Sequence, residues 1–124
     1  EQSRKLTYSS AGHNPPRLRS CGKWEVTPLD QATSLPLGFI PGVEYRDHTV
    51  TLHPGDRVVF YTDGITEAAN SVGELFGTER LDHVLADCRA DSQKSLDRVV
   101  EAVREFTGGQ PPADDRTLLI ADVI

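Results

Sequence analysis

The stretch of residues 55–68 constrains the fold of this chain more than any other. It reads Gly-Asp-Arg-Val-Val-Phe-Tyr-Thr-Asp-Gly-Ile-Thr-Glu-Ala. Residues 58–61 form an unbroken apolar run that is too short for a helix and is typical of a central strand buried on both faces. Asp63 follows at once and precedes Gly64, where the backbone can turn sharply. The pattern therefore predicts a carboxylate at the end of a rigid strand, where functional groups are often mounted.

Asp114 and Asp115 form a second acidic site, just before another strand-like run at residues 117–124. Asp63 follows one predicted strand and Asp114 precedes the other, so antiparallel pairing of neighbours would bring both carboxylates to one edge of the sheet. Two anions held that close need a cation, or one of them must take a proton. Mg²⁺ and Mn²⁺ prefer oxygen ligands, so the sequence predicts a divalent metal site at this edge.

Composition excludes several classes of function. The chain has 124 residues, of which 37% are hydrophobic, and this suits one domain with a modest core. A net charge of −6 without any Lys/Arg cluster argues against nucleic acid and anionic membranes as partners. No apolar run approaches the roughly 18 residues of a membrane span, and no signal-peptide pattern is present. Cys21 and Cys88 are far apart in sequence, which favours reduced thiols over a disulfide framework or a zinc site, and hence a cytoplasmic protein.

The remaining patterns predict an α+β fold with antiparallel sheet. A turn cluster at residues 12–16 predicts a hairpin between strands at residues 6–11 and 17–20, and Trp24 and Val26 alternate as on one face of a half-buried third strand. Residues 28–43 are interpreted as a loop whose apolar centre packs over a sheet edge, without evident chemistry.

The second half of the chain supplies a further predicted hairpin and two helices. Residues 48–52 alternate cleanly and lead through a Pro-Gly turn into the central strand, which predicts a hairpin. Apolar residues then recur at helical spacing near residues 78–88 and 92–107, with Gly108 as a C-terminal stop. We expect these two amphipathic helices to cover one face of the sheet.

Five segments, in this order and spacing, resemble the SpoIIE/RsbU branch of the PPM (protein phosphatase 2C-like) serine/threonine phosphatases. They are Ala-Gly-His-Asn-Pro-Pro at residues 11–16, Leu-Pro-Leu-Gly at 35–38, the Asp-Gly strand at 55–68, Leu-Phe-Gly through Arg-Leu at 75–81, and Asp-Asp-Arg-Thr at 114–117. Each segment is weak by itself, but together they span essentially the whole chain. The resemblance implies an α-β-β-α sandwich with antiparallel sheets, in which acidic residues at one end of two stacked sheets hold a pair of Mn²⁺ or Mg²⁺ ions.

The resemblance also implies which residues hold the metal. Asp63 matches the metal-binding aspartate of the family's Asp-Gly motif, and Asp114 matches the first aspartate of its Asp-(Asp/Asn)-x-Thr motif. Neither is expected to act as a nucleophile. Around them, Gly64, Glu67 and Asp115 are candidates for a supporting shell, although Glu67 reads equally well as an exposed carboxylate and Asp115 fits a turn better than a ligand. His13 and Asn14 are interpreted as turn structure.

One part of the family pattern is missing. The N-terminal half of the family's domain carries a Gly-Asp-x-x-Gly-His-Gly segment whose aspartate bridges both metals, and nothing in residues 1–124 supplies it. The pair Gly12-His13 does not substitute, because no aspartate precedes it. The chain also contains no methionine. We therefore expect residues 1–124 to be the C-terminal portion of a single phosphatase domain.

The resemblance thus implies a metal-dependent phosphoserine/phosphothreonine phosphatase of bacterial signal transduction, in sporulation or stress response, acting on a regulator of the anti-anti-sigma factor type. It would be complete only with the missing N-terminal half, and the isolated chain is expected to be inactive. Two alternatives remain open: a regulatory or degenerate phosphatase-fold module that binds a partner without catalysis, and a fragment with no function of its own. Both aspartates are retained, which favours the enzyme. An exposed sheet edge could also drive dimerisation.

Overall fold

A computed structural model describes residues 4–124, and this part of the chain contains eight strands and three helices. The strands are β1 (Arg4–Tyr8), β2 (Ser10–Ala11), β3 (Arg17–Ser20), β4 (Glu25–Pro28), β5 (Thr33–Ser34), β6 (His48–Leu52), β7 (Arg57–Tyr61) and β8 (Leu118–Asp122). The helices are α1 (Asp63–Thr66), α2 (Gly77–Leu85) and α3 (Ser92–Thr107). The α+β class predicted from the sequence is confirmed.

The central element is a four-stranded antiparallel sheet in the order β4-β3-β7-β8. Strand β7 lies between β3 and β8, with Val59 paired to Ile120, so the predicted antiparallel neighbours are confirmed. The prediction that β7 is buried on both faces is wrong in part. Phe60 and Leu119 form a cross-strand pair and are 38% and 54% exposed, because the described residues cover their end of that face only in part.

Helices α2 and α3 pack on the other face of this sheet, as predicted. Val59 and Tyr61 point into the main core cluster, where they meet Leu81 and Leu85 of α2 and Val99 of α3. Helix α3 begins after Asp91, whose carboxylate accepts a hydrogen bond from the Lys94 amide, and it ends at Gly108. The amphipathic spacing thus predicted both helices correctly, although α2 ends about one turn earlier than expected.

A two-stranded antiparallel sheet, β1-β6, packs against the opposite face of the central sheet. Its Leu52 joins Val58 of β7 and Leu29 in a second, smaller core cluster. The described residues therefore build three successive layers, which are the small sheet, the central sheet and the helices. These correspond to the β-β-α part of the sandwich that the resemblance implied.

Both predicted hairpins are wrong. Strand β1 pairs with β6 rather than with β3, and β6 does not pair with β7 although only the turn at residues 53–56 separates them. That turn is closed by the Asp56 amide donating to the His53 carbonyl at 2.9 Å, but the strands on either side of it enter different sheets. Alternation identified the apolar face of β6 correctly, but it carried no information about which distant strand would pair with it.

Two further expectations about the N-terminal half are also wrong. Trp24 lies before β4 rather than within a half-buried strand, and it is 71% exposed. The apolar centre of residues 28–43 does not pack over a sheet edge. The loop contributes β5, which makes a short parallel pair with β2, and its apolar side chains beyond β5 are exposed.

Cys21 and Cys88 form a disulfide, with their Cα atoms 5.7 Å apart, so the prediction of two reduced thiols is wrong. The bond joins the β3–β4 turn to the segment between α2 and α3. Distance along the chain was a poor guide because β3 and α2 lie side by side, as the Arg17 to Asp82 bond also shows. Within residues 4–124, no helix is both long enough and apolar enough to cross a membrane.

Candidate active site

Asp63 stands where β7 ends and the short helix α1 begins, as the sequence predicted. Its carboxylate oxygen Oδ1 accepts a hydrogen bond from the side-chain amide of Asn14, which lies in the segment between β2 and β3. These two residues line a cavity of about 130 Å³ together with Gly12, His13 and Thr62. The Asp63 carboxylate is therefore bonded by Asn14, a residue that is distant in sequence.

Gly64 brings the Asp63 turn into direct backbone contact with the second acidic segment. A Cβ atom at position 64 would overlap the carbonyl group of Asp115 and lie 3.1 Å from the carbonyl oxygen of Asp114. On the same side, the Arg116 Nε donates to the Gly64 carbonyl at 3.1 Å. Only glycine lets the two chain segments approach this closely.

Thr62 fastens the second acidic segment to the end of β7. Its hydroxyl donates to the Asp115 carbonyl at 3.2 Å and accepts from the Thr117 amide at 3.0 Å, while its own amide donates to the Thr117 carbonyl at 3.2 Å. The pairing of β7 and β8 is thereby extended to the acidic turn. Asp63 and Asp114 thus lie at the same end of the sheet, the arrangement expected from antiparallel pairing.

Asp114 lines a second, smaller cavity rather than the Asp63 cavity. This space of about 80 Å³ is bounded by Asp114, Gly64, Glu67 and two alanines. The Asp114 Oδ1 accepts a hydrogen bond from the Asp115 amide at 2.8 Å, so the carboxylate also caps its own turn. Of the supporting residues suggested by the sequence, Gly64 and Glu67 border this cavity, whereas Asp115 contacts the site through its backbone.

The donor chemistry of these two cavities fits a hard divalent cation only in part. Asp63 and Asp114 are both exposed carboxylates, and oxygen is the donor that Mg²⁺ and Mn²⁺ prefer. Within residues 4–124, however, no three His, Cys, Asp or Glu side chains are grouped as a metal site would need. The described residues thus place two carboxylates of a suitable kind at this end of the sheet, without a complete coordination shell.

Strand β3, which pairs with β7 beside the site, is bonded to helix α2. Arg17 of β3 donates through Nε to Asp82 of α2 at 2.7 Å, tying the sheet to the helix layer. Burial raises the pKa of the Tyr61 phenol at the end of β7; Arg17 opposes this, and Asp82 and Asp63 add to it. The phenol is therefore protonated at neutral pH, and Tyr61 serves as a packed support for Asp63.

Sequence reasoning missed three residues of the site: Asn14, Thr62 and Arg116. Asn14 was interpreted as turn structure, although it lies in the Ala-Gly-His-Asn segment that the resemblance had already singled out. Thr62 and Arg116 adjoin the two aspartate motifs, but hydrogen bonds to the backbone of a distant segment leave no local pattern. The sequence could have flagged Asn14 through that segment; the other two needed the tertiary contacts.

Comparison with known proteins shows that this β-β-α layering, with one acidic turn after β7 and another before β8, belongs to the phosphatase fold. The chain belongs to the SpoIIE family: the family profile described as Stage II sporulation protein E matches residues 1–124. Among curated proteins, it is 28% identical over 115 residues to Protein IcfG of Synechocystis sp.. The matched region covers 92% of this chain and 18% of that protein.

Solved structures match over nearly the whole chain. The SiaA-PP2C domain of Pseudomonas aeruginosa is 25% identical, with a TM-score of 0.77, and the match covers 98% of this chain and 47% of that one. The RsbU and RsbW domains of a Mycobacterium tuberculosis protein match at 26% identity and a TM-score of 0.68, covering 94% and 31%. The PP2C phosphatase domain of SpoIIE from Bacillus subtilis shares the fold at 22% identity and a TM-score of 0.74, covering 98% and 34%. The chain thus spans half or less of the length of each of these proteins.

Proposed function

We propose that this chain is the C-terminal portion of a metal-dependent phosphoprotein phosphatase domain that hydrolyses phosphoserine or phosphothreonine. The observation that carries the proposal is the clamp at Gly64, which packs the Asp63 turn against the backbone of Asp114 and Asp115. An ordinary surface turn does not pack two acidic segments, distant in sequence, against each other at the end of a sheet. Family membership and the solved phosphatase domains support the same function.

Asp63 and Asp114 are the residues that would hold Mn²⁺ or Mg²⁺. Such ions activate water as the nucleophile and neutralise the charge of the phosphoryl group, which is why hydrolysis needs no nucleophile from the protein. The residues of this chain provide the rigid mount. Asn14 orients the Asp63 carboxylate, and Thr62 and Arg116 hold the backbone of the acidic turn against α1. The bridging ligand would come from the N-terminal half of the domain.

The proposed substrate is a phosphorylated regulatory protein of the anti-anti-sigma factor type. Support comes from the relatives alone: one solved structure contains RsbU and RsbW domains, and another is the phosphatase domain of the cell fate determinant SpoIIE. This role would place the protein in bacterial signal transduction. A cytoplasmic location would suit such a substrate, although the Cys21–Cys88 disulfide removes the reduced thiols that first suggested it.

The competing function is a partner-binding module that has lost catalysis, and Asp63→Asn and Asp114→Asn distinguish the two. The full-length protein that contains this chain should hydrolyse p-nitrophenyl phosphate with Mn²⁺, and each substitution should lower kcat/KM more than about 100-fold, beyond the usual effect of a supporting residue. Each should also abolish the rise in melting temperature that Mn²⁺ causes.

Asp97→Asn is a matched control, since it removes the same charge from an exposed position on α3. It should leave both measurements unchanged. An Asp63→Asn variant that retains turnover and the Mn²⁺ stabilisation would remove Asp63 from the site and would contradict the proposed function. A wild-type protein that binds the regulator but hydrolyses no phosphate ester would favour the binding module.

A further inference from the structure

His13 lines the Asp63 cavity with a side chain that has no packing role. It borders the space of about 130 Å³ together with Asp63, Asn14 and Thr62, and its side chain is exposed. Neither core cluster of residues 4–124 includes it. The cavity exceeds the roughly 30 Å³ that one water molecule occupies, so it has room for an ion with part of its hydration shell. His13 is therefore a polar group at a candidate metal cavity rather than a packing residue.

A hydrogen bond to the backbone decides which ring nitrogen of His13 carries the proton. The Nδ1 atom lies 2.9 Å from the carbonyl oxygen of Asn14. A carbonyl oxygen can only accept, so Nδ1 is the donor, and in the uncharged ring the lone pair is on Nε2. Metal-binding histidines have this arrangement, in which one ring nitrogen binds the metal and the other donates to a carbonyl or carboxylate oxygen. His13 can thus offer Nε2 as a ligand.

The turn that carries His13 is fixed by a close backbone contact. Gly12 has a φ of +82°, and a Cβ atom built there would lie only 2.6 Å from Pro36 Cγ, so the position admits no side chain. On the other side of His13, the Asn14 amide donates to Asp63 Oδ1. Two adjacent residues of this turn therefore face the same cavity, one bonded to the Asp63 carboxylate and the other bearing an imidazole.

We propose that His13 Nε2 is a metal ligand beside Asp63, and that it makes this site select Mn²⁺ over Mg²⁺. The inference rests on the proposed function and goes further, because the resemblance implies acidic ligands alone and does not distinguish the two ions. Mg²⁺ binds oxygen ligands and keeps several waters, whereas first-row transition ions also accept an imidazole nitrogen. The nitrogen ligand raises the affinity for Mn²⁺ without raising the affinity for Mg²⁺.

His13→Asn tests the ligand role, because the asparagine amide can still donate to the Asn14 carbonyl while Nε2 is lost. Calorimetric titration of the full-length protein, without substrate, should show that the affinity for Mn²⁺ falls about tenfold or more, at least the effect of a group that orients a ligand. The affinity for Mg²⁺ should change by less than about twofold. Asn14→Ala should instead weaken the binding of both ions, since it releases the Asp63 carboxylate that either ion would bind.

Pulsed electron paramagnetic resonance of the Mn²⁺-loaded protein tests the same bond directly. An imidazole nitrogen bound to Mn²⁺ modulates the electron spin echo, and this nitrogen signal should disappear in His13→Asn. His83→Asn is the matched control, because it removes an exposed imidazole from α2 that lines neither the Asp63 nor the Asp114 cavity. It should keep the nitrogen signal and both affinities.

The other outcomes overturn the ligand role. An equal loss of Mn²⁺ and Mg²⁺ affinity in His13→Asn would make His13 a support for the turn that holds Asn14, and unchanged affinities would make it a turn residue. A nitrogen signal that is absent from the wild-type protein, or that persists in His13→Asn, would also remove Nε2 from the metal.

Failure of the proposed function has a different signature. Asp63→Asn that leaves the affinities for both ions unchanged would contradict the proposed function whatever His13 does. Wild-type protein that shows the nitrogen signal but hydrolyses no phosphate ester would reject the phosphatase and retain the His13 ligand. Wild-type protein that binds neither ion would reject both.

Discussion

At the scale of single residues, the candidate site depends on a side-chain amide that orients a carboxylate. Asn14 is half-buried, and its side-chain amide donates to Asp63 Oδ1. The bond restricts the carboxylate to one orientation. A metal ligand that is oriented in advance binds more tightly, because less rotational freedom is lost on binding.

Asn14→Ala removes this bond and should weaken Mn²⁺ binding by the full-length protein about tenfold, the effect typical of a group that orients a ligand. Calorimetric titration with Mn²⁺ measures this affinity directly. Gln93→Ala is a suitable control, since Gln93 also donates to an aspartate but does so on α3. Unchanged Mn²⁺ affinity in Asn14→Ala would return Asn14 to the role of a turn residue.

Gly64→Ala tests the backbone clamp at the same scale. The new methyl group would overlap the Asp115 carbonyl, so the β7–β8 end must open, and we expect the full-length protein to lose about 2 kcal/mol of stability. Gly22→Ala is matched, because no atom lies within 4 Å of a Cβ built there. Denaturant unfolding compares the two. Equal stability of both variants would show that the acidic segments are not held together through Gly64.

At the scale of secondary-structure elements, an ion pair between the buried Arg57 and the partly exposed Asp122 helps to join β7, β8 and α3. Arg57 is 5% exposed and bonds Asp122 of β8, and it donates to the Ser95 hydroxyl at 2.6 Å. Burial raises the pKa of Asp122, but hydrogen bonds from Arg57 and Ser92 outweigh this, and the pKa lies below its usual value. The pair therefore stabilises the pairing of β8 at every pH where Asp122 is ionised.

Asp122→Asn should lower the free energy of unfolding by about 1–2 kcal/mol at pH 7, the lower range for a charged partner because Asp122 is partly exposed. A depressed folded pKa contributes stability that is present above the unfolded value of about 3.9 and is lost as the pH falls through the folded value. The difference from wild type should thus shrink below about pH 4. Urea unfolding of both proteins from pH 7 to pH 3 measures it, and a difference that stays constant with pH would contradict the ion-pair account.

At the scale of the whole molecule, the described layers leave one apolar region without cover. Phe60 and Leu119 are exposed on the face of the central sheet that β1-β6 covers only in part. The solved phosphatase domains are at least twice as long as the matched region, and the family's bridging aspartate has no counterpart here. Under the proposed function, both facts place catalysis in a unit larger than residues 1–124.

The 124-residue chain alone should therefore show little or no Mn²⁺-dependent hydrolysis of p-nitrophenyl phosphate, whereas the full-length protein should be active. The bridging aspartate that the resemblance implies has no counterpart in residues 1–124, so under the proposed function metal would be held weakly. Size-exclusion chromatography with light scattering should accompany the assay, since an open face and the β8 edge favour self-association. Robust turnover by the isolated chain, at the level of the full-length protein, would contradict this prediction.

The sequence by itself determined strands β7 and β8, helices α2 and α3, and the positions of the two aspartates. An apolar run ending in Asp63-Gly64, and helical spacing before Gly108, are local signals, and short-range sterics and burial decide them. The pairing of β7 with β8 followed because each aspartate adjoins one of these strands. The resemblance added the family and the ligand roles, which the metal experiments above test.

Only the tertiary structure decided which strands pair, where the cysteines meet and what surrounds Asp63. Strand β1 pairs with β6 across the intervening hairpin, and Cys21 reaches Cys88, through contacts between segments that carry no mark of each other in sequence. The same holds for Asn14: its sequence neighbours indicate a turn, whereas the fold brings its side chain to Asp63. The apolar centre of residues 28–43 was expected to pack over a sheet edge and is exposed, because burial depends on the shape of the surrounding chain as well as on the hydrophobicity of the segment.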